Sequence, residues 1–346
     1  MKIAIAVSGG TDSLYALLSL REQGHEVSAL HARFLPASSE APPVPALTQI
    51  CSSLGIPLRV ADLTDEFQNH VILPFASEHV NCRTPNPCAL CNRAMKFGRL
   101  LDLALQDCDA YATGHYASME EHPVYGMALH TGEDGSKDQS YFLALVPIER
   151  LRRCLFPLAK VTKPQARAWL AERGHAVPLP SESQEICFIP GDDHYAWLLA
   201  RQEKGLLSLP GPGPATLSDG TIIAHHGGLW RYTEGQRRGL GIPWKEPLYA
   251  LRRDAGTNTL IVGPKEQLAC ECCVADDANI MVPRNLWPDQ LMVRIRYRQK
   301  PVPATVDMEG SRLLIRFASP QQPPAPGQIA AVYDADGFVL AGGVLV

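Results

Sequence analysis

A chain of 346 residues exceeds what one ordinary core serves, so two or three domains are expected. With 46% hydrophobic and 20% charged residues it has the composition of a folded globular protein, and its net charge of −4 excludes the general basicity of a non-specific nucleic-acid binder. No apolar run is long enough to span a bilayer, and the N-terminal MKIAIAVSGG lacks the apolar length and cleavage site of a signal peptide, so a cytoplasmic protein is expected.

Residues 2–7 (KIAIAV) are short, apolar and β-prone. SGGTDS follows at 8–13, then LYALLSLREQG with helical spacing and a terminal Gly24. Residues 26–32 and 58–63 read as the next two strands. Between them lie a Pro/Ala/Ser-rich loop at 36–45 and a helix at 47–55. Residues 65–81 look helical, with Pro74 kinking or splitting the helix. Residues 92–107 are amphipathic, and 110–117 (AYATGHYA) form a strand that runs into a polar tip. Strands alternating with helices predict an α/β fold with a doubly wound parallel sheet.

Residues 163–174 are a helix with Pro164 in its first turn and Gly174 as its stop. A long polar loop fills 175–193, and 194–205 is the last helix. Beyond it, short alternating segments are separated by Gly/Pro turns, the texture of small antiparallel barrels. The expected organisation is therefore a catalytic domain at 1–205, a small central β-rich domain at 206–273 and a C-terminal β-barrel at 274–346.

The SGGTDS loop is the first candidate site. A glycine pair between a strand and a helix lets backbone N–H groups face an anion, and Ser8, Thr11 and Ser13 add hydroxyl donors. Asp12 is placed to hold a magnesium ion on the phosphates. The loop has no lysine, so it is not a Walker A loop. A tight turn before a helix is the plain alternative. The loop's place at the C-terminal end of the first strand, where open α/β sheets bind ligands, favours a nucleotide. The pattern resembles the PP-loop of ATP pyrophosphatases, which split ATP between the α and β phosphates and adenylate a carbonyl-type oxygen.

Ten cysteines in a chain expected in the cytoplasm are not a disulfide framework, and most read as small core residues. RTPNPCALCN at 83–92 has C-x-x-C spacing, which suits a redox pair, a metal site or a nucleophile. CECC at 270–273 is too far along the chain to be a natural second half of a zinc site. Cys91, ahead of a helix expected to begin near Asn92, is the candidate nucleophile, because a helix N-terminus lowers a thiol pKa. Cys187 sits in QEICFIP after the polar loop.

Eight segments in one order complete the pattern: SGGTDS, RTPNPCALCNRAMKF, ATGHYA, KDQSYFL, QEICFIP, GLWRYTEGQRRGLGI, RIRYRQKPVPATV and PGQIAAVY. Together they resemble the tRNA-uridine 2-sulfurtransferase (MnmA/TrmU) family across nearly the whole chain. The resemblance implies a PP-loop domain, a small central domain and a C-terminal barrel. It also implies ATP-dependent 2-thiolation of the wobble uridine of tRNA, with ATP and Mg2+ as cofactors. By resemblance, Ala6, Val7, Ser8, Gly9, Gly10, Thr11, Asp12 and Ser13 hold ATP. Ala32 touches the adenine through its backbone, and Gly114 closes the nucleotide pocket. Asn86, Pro87 and Cys88 meet the target base, with His115 beside the tRNA. Lys137, Asp138 and Gln139 contact tRNA, as do Arg296, Tyr297 and Gln328 from the barrel. Cys187 carries a persulfide, and Cys91 releases the sulfur onto uridine C2 and then pairs transiently with Cys187.

The family pattern commonly has aspartate where this chain has Cys88, which puts that residue's acid/base role in doubt. Cys88, Cys91 and Cys187 could instead ligate a [4Fe–4S] cluster, a set of soft ligands of the right type and count. The persulfide route with two cysteines stays open beside it. The sulfur source is then a donor protein or sulfide. Local basic patches at 152–153, 235–245 and 294–300 are candidate RNA contacts, each otherwise a solvated face. Tyr116, Trp230 and Tyr297 are candidate stacking partners for a flipped base, each otherwise a core or surface aromatic. A small-molecule PP-loop ligase and a non-catalytic tRNA-binding or sulfur-carrier protein are the competing readings. No membrane partner is expected, and no feature calls for a partner subunit, so a monomer is expected.

Overall fold

The computed structural model describes residues 1–36, 43–175, 177 and 186–346. Parts of the loops expected at 36–45 and 175–193, including Gln184 and Glu185, lie outside the described residues.

Strands β1 (Lys2–Ala6), β2 (Glu26–Arg33), β3 (Leu58–Asp62), β4 (Ala110–Ala112) and, after a β5–β6 hairpin (Ala117–His122, Gly126–Thr131), β7 (Cys154–Leu155) carry the first domain. They form one parallel sheet in the order β3-β2-β1-β4-β7. Ile3 and Ile5 pack on one face with Leu14, Leu17 and Ala166, and Ala4 packs on the other with Phe67, Met95 and Tyr111. The sheet is thus covered on both sides, as the alternation of strands and helices predicts.

Residues 64–80 form one continuous helical stretch whose π-turn, Gln68–Ile72, comes directly before Leu73 and Pro74. The missing N–H of Pro74 is absorbed by this local change of hydrogen-bond spacing, so the chain continues without a break. A second helical stretch begins at Pro87 and includes the π-helical Asn92–Leu100, with Gly98 off the helical path (φ −93°, ψ −105°). A Cβ at Gly98 would lie 2.9 Å from the Arg93 carbonyl oxygen. Arg150 donates to the Phe97 and Gly98 carbonyl oxygens and to Asp102, and so satisfies the acceptors that the kink frees.

The middle of the chain holds β8 (Gly213–Thr216), β9 (Ile222–His226), β10 (Tyr249–Asp254) and β11 (Thr259–Gly263), in the order β10-β11-β8-β9. The pairing of β11 with β8 is parallel, so this sheet departs from the all-antiparallel expectation. Turn residues reveal hairpins but not a pairing with a strand that begins 43 residues after β8 ends. The last unit is a closed barrel of β12 (Cys270–Ile280), β13 (Leu291–Arg294), β14 (Val302–Glu309), β15 (Arg312–Gln321), β16 (Ile329–Tyr333) and β17 (Val339–Leu345). Its strands alternate small and branched residues inward, with Val293, Ile315, Val332 and Leu340 buried. The CECC segment simply opens β12, with Cys270 accepted into no metal cluster among the described residues. No described helix is long and apolar enough to cross a membrane.

Candidate functional site

The phosphate loop sits at the C-terminal end of β1. Gly9 has φ +90°, a conformation open to glycine, and Gly10 leads extended backbone into the helix Thr11–Glu22. Ser13 braces the turn: its hydroxyl donates to the Gly10 carbonyl at 3.0 Å and accepts the Ser8 N–H at 3.1 Å. Gly114 lies against this helix start. A Cβ there would stand 2.7 Å from the Asp12 carbonyl carbon and 2.8 Å from the Ser13 nitrogen. Gly114 is therefore required by close backbone approach, whatever occupies the pocket. His31 Nδ1 meets the Val7 carbonyl oxygen at 2.8 Å and ties β2, next to Ala32, to the loop. Burial holds His31 below the usual imidazole pKa.

Both oxygens of the Asp12 carboxylate accept hydrogen bonds. Lys163 Nζ donates to Oδ1 at 2.7 Å and to Oδ2 at 2.6 Å, and the Tyr116 hydroxyl donates to Oδ1 at 2.8 Å. Tyr116 is thus a buried brace of the phosphate loop.

The cysteines form a second cluster. Asn86 caps the helix Pro87–Cys91 by accepting the Ala89 N–H at 3.1 Å, and Pro87 takes the first helical position. The helix therefore starts a turn earlier than expected, and Cys91 stands inside it rather than at its N-terminus. Burial now outweighs any dipole effect and pushes the Cys91 thiol up to about 12, with Lys96 pulling the other way and Cys187 and Cys88 adding to the rise. This corrects the expectation of an activated thiol in the resting site.

Cys88 and Cys187 are exposed residues, yet desolvation of their sulfur atoms also raises both thiols. Each raises the other or Cys91, so the three thiols share one electrostatic neighbourhood, and Lys96 is the cation common to all three. Phe188 and Ile189, buried against Phe67, Phe75 and Trp197, anchor the Cys187 segment. Among the described residues, no three His, Cys, Asp or Glu side chains converge as the ligands of a single metal ion do. Thiols are nevertheless the soft donor type that an iron–sulfur cluster takes.

His115 links the two halves. It is buried, and burial together with Lys96 holds its pKa well below the usual imidazole value. Its Nδ1 lies 2.8 Å from the Thr113 hydroxyl and its Nε2 3.2 Å from Asn92 Oδ1. Asn92 donates its amide to the Phe142 carbonyl at 3.2 Å, so its oxygen is the acceptor and the histidine proton belongs on Nε2.

The remaining predicted contacts divide by environment. Asp138 is buried, accepting from the Gly132 and Ser140 N–H groups, the Ser140 hydroxyl and Arg294 at 2.8 Å. Gln139 accepts the Tyr116 N–H at 3.0 Å. Arg296 reaches the Glu234 and Pro323 carbonyls, and Tyr297 packs on Phe142 with ring centroids 4.4 Å apart. Gln328 donates to the Thr84 and Pro85 carbonyls. Trp230 is buried. Lys137 is half-buried, while Arg152, Arg153, Arg237, Arg238, Arg298 and Lys300 are exposed.

Residues 1–191 match the family model described as tRNA methyl transferase HUP domain, 210–264 the tRNA methyl transferase PRC-barrel domain and 270–345 the Aminomethyltransferase beta-barrel domain. The chain is 52% identical over 352 residues to the tRNA-specific 2-thiouridylase MnmA of Nitratidesulfovibrio vulgaris (strain DSM 19637 / Miyazaki F), covering 100% of this chain and 99% of that one. The chain belongs to the MnmA family. Other MnmA relatives are those of Lawsonia intracellularis, at 48% identity with 100% of this chain and 99% of that one covered, and Persephonella marina, at 39% with 100% of each. Among solved structures it is similar to the U34-tRNA thiolase NcsA from Methanococcus maripaludis with its [4Fe-4S] cluster, at 17% identity and a TM-score of 0.36, covering 60% of this chain and 67% of that one. So loose a likeness decides nothing about the site of an MnmA protein.

Sequence reasoning did not find Lys163, Lys96 or Asn92. Lys96 lies five residues after Cys91, off the i+3/i+4 face that α-helical spacing shares, so spacing gave no signal for it. Lys163 carried none, because its partner lies 151 residues away.

Proposed function

We propose that this MnmA-family chain catalyses ATP-dependent 2-thiolation of the wobble uridine of tRNA. The observation that carries the reading is the link from phosphate loop to thiols. Gly114 abuts Asp12, and its neighbour His115 holds Asn92, the residue after Cys91. A nucleotide on the loop and a base over the thiols would then meet across a short, rigid bridge.

Uracil O2 attacks the α phosphorus of ATP, and the bond to the β-phosphate oxygen breaks with release of pyrophosphate. The backbone of residues 8–11 would hold the phosphates. Mg2+, when bound, offsets charge on the departing pyrophosphate. O2, a poor leaving group, now departs as AMP when sulfur adds to C2. On the persulfide route the outer sulfur of Cys187 attacks C2. The Cys91 thiolate then attacks the Cys187 sulfur, frees 2-thiouridine and leaves a Cys91–Cys187 disulfide for an external thiol to reduce. Cys91 is buried and its thiol is raised, and Lys96 is the group that favours its thiolate.

A second reading of the sulfur step is favoured by the third thiol. Cys88, Cys91 and Cys187 would hold a [4Fe–4S] cluster, which supplies an open iron for sulfide. Nucleoside mass spectrometry on unmodified tRNA, incubated anaerobically with the protein and ATP-Mg, and with either sulfide or a pre-formed protein persulfide as the sulfur source, tests both readings. Formation of 2-thiouridine that is lost in Cys88→Ser favours three thiols. Equal formation in Cys88→Ser leaves two. Iron-free protein purified anaerobically with all three thiols intact sinks the cluster.

A further inference from the structure

The pairing of Lys163 with Asp12 links the phosphate loop to the helix Lys163–Glu172. Lys163 is buried, at 8% exposure, on the first position of that helix. The helix start is fixed by the capping box of Thr162 and Gln165 and by the Lys163 N–H on Asp134 at 3.2 Å. Its ammonium is therefore delivered to the loop by a rigid element and not by a solvated side chain. A lysine desolvated to this degree requires an anion, and Asp12 supplies one through both oxygens. The loop itself has no lysine, yet a polyphosphate bound there needs cationic charge beyond backbone N–H groups.

We propose that Lys163 is a binding residue for the outer phosphates of the nucleotide, supplied by a distant helix in place of the lysine the loop lacks. The inference rests on the nucleotide reading above. On entry of a nucleoside triphosphate with its divalent cation, Lys163 gives up Asp12 to the cation and passes its ammonium to a phosphate oxygen. Tyr116 keeps its hydrogen bond to Asp12 Oδ1 and so limits how far the carboxylate turns. No buried charge is left unpaired at either end of the exchange, and no covalent bond changes.

Equilibrium calorimetry with ATP and with AMP, each with Mg2+, tests the assignment. Lys163→Gln is expected to weaken ATP by about 10- to 100-fold, the worth of a charge-assisted contact, with AMP affinity unchanged. A loss equal for ATP and AMP would mean that the lysine only braces the loop, and overturns the proposal. Lys163→Gln leaves Asp12 unpaired and can lower stability, so the paired variant Asp12→Asn with Lys163→Gln is melted and titrated alongside. Retention of the wild-type ratio of ATP to AMP affinity in the folded paired variant also overturns it. Wild-type protein that binds neither nucleotide would remove the nucleotide reading together with this one. Wild-type binding with unchanged ratios in the variants would remove the lysine alone.

Discussion

Gln328, on the barrel, donates its side-chain amide to the Thr84 carbonyl oxygen at 3.0 Å across 244 residues of sequence. The same amide donates to the Pro85 carbonyl at 3.0 Å, and Gln328 Oε1 accepts from Asn86 at 3.4 Å. Thr84 also accepts Arg253 at its hydroxyl and donates its N–H to Pro326, so all three domains meet two residues before the helix cap. Replacing Gln328 with leucine removes these bonds, each worth roughly 1 kcal/mol. Thiolation turnover is expected to fall by more than the melting temperature implies. Single-turnover thiolation and a thermal melt on one sample check this, and an unchanged rate would mean that the loop needs no such support.

Gly114→Ala places a methyl group against backbone that cannot yield, 2.7 Å from the Asp12 carbonyl carbon. The expected cost is about 1–3 kcal/mol, expressed at the loop as weakened ATP binding. Urea unfolding and ATP titration measure the two parts. Native ATP affinity in a folded variant would show that the loop tolerates displacement.

The thiols should react in order of access and pKa. With Cys91 at about 12, roughly one molecule in 10⁵ carries its thiolate at pH 7. Iodoacetamide mapped by peptide mass spectrometry should label Cys88 and Cys187 well before Cys91. Labelling of Cys91 should still be accelerating at pH 9. Early labelling of Cys91 at pH 7 would contradict the buried resting state.

His79 is held at about 3 by burial, with His194 and Arg253 adding to the effect. Its folded pKa lies below its unfolded value, so the unfolded chain binds the proton first. Stability is therefore full above about pH 6.5 and falls as pH drops toward 3, by about 1.4 kcal/mol per pH unit for this residue. Urea unfolding at pH 7 and pH 5 should show a smaller difference for His79→Gln than for the parent chain. Equal differences would mean that His79 is protonated in the fold.

Arg253 and Glu234 form a buried ion pair at 2.7 Å, with side chains 1% and 5% exposed. Arg253→Met leaves a buried carboxylate and should cost about 3–5 kcal/mol. Pairing it with Glu234→Gln should recover much of that loss. Denaturant midpoints of the single and paired variants decide it.

The parts of the site that could be read from sequence were those built from neighbours. The Gly9-Gly10 turn, its serines and the helix behind it follow one another in the chain, and local sterics dictate them. The start of the cysteine helix was equally local but misjudged. Asn86 and Pro87 are strong opening signals, and they move the helix start back to Pro87, ahead of the whole C-x-x-C. The parallel β8–β11 pairing, the Lys163–Asp12 pair and the burial of Asp138 by Arg294 all join distant segments. No periodicity in one segment records what packs on it from another.

The support of the cysteine loop also has an order in time. During synthesis the phosphate loop and its partners Gly114, Tyr116 and Lys163 are complete once residue 163 has been made. Asn86 and Thr84 wait for Gln328, which the ribosome adds 242 residues after Asn86. A nascent first domain can thus assemble its phosphate loop long before its cysteine loop is braced, and the two halves become one machine only when the barrel closes.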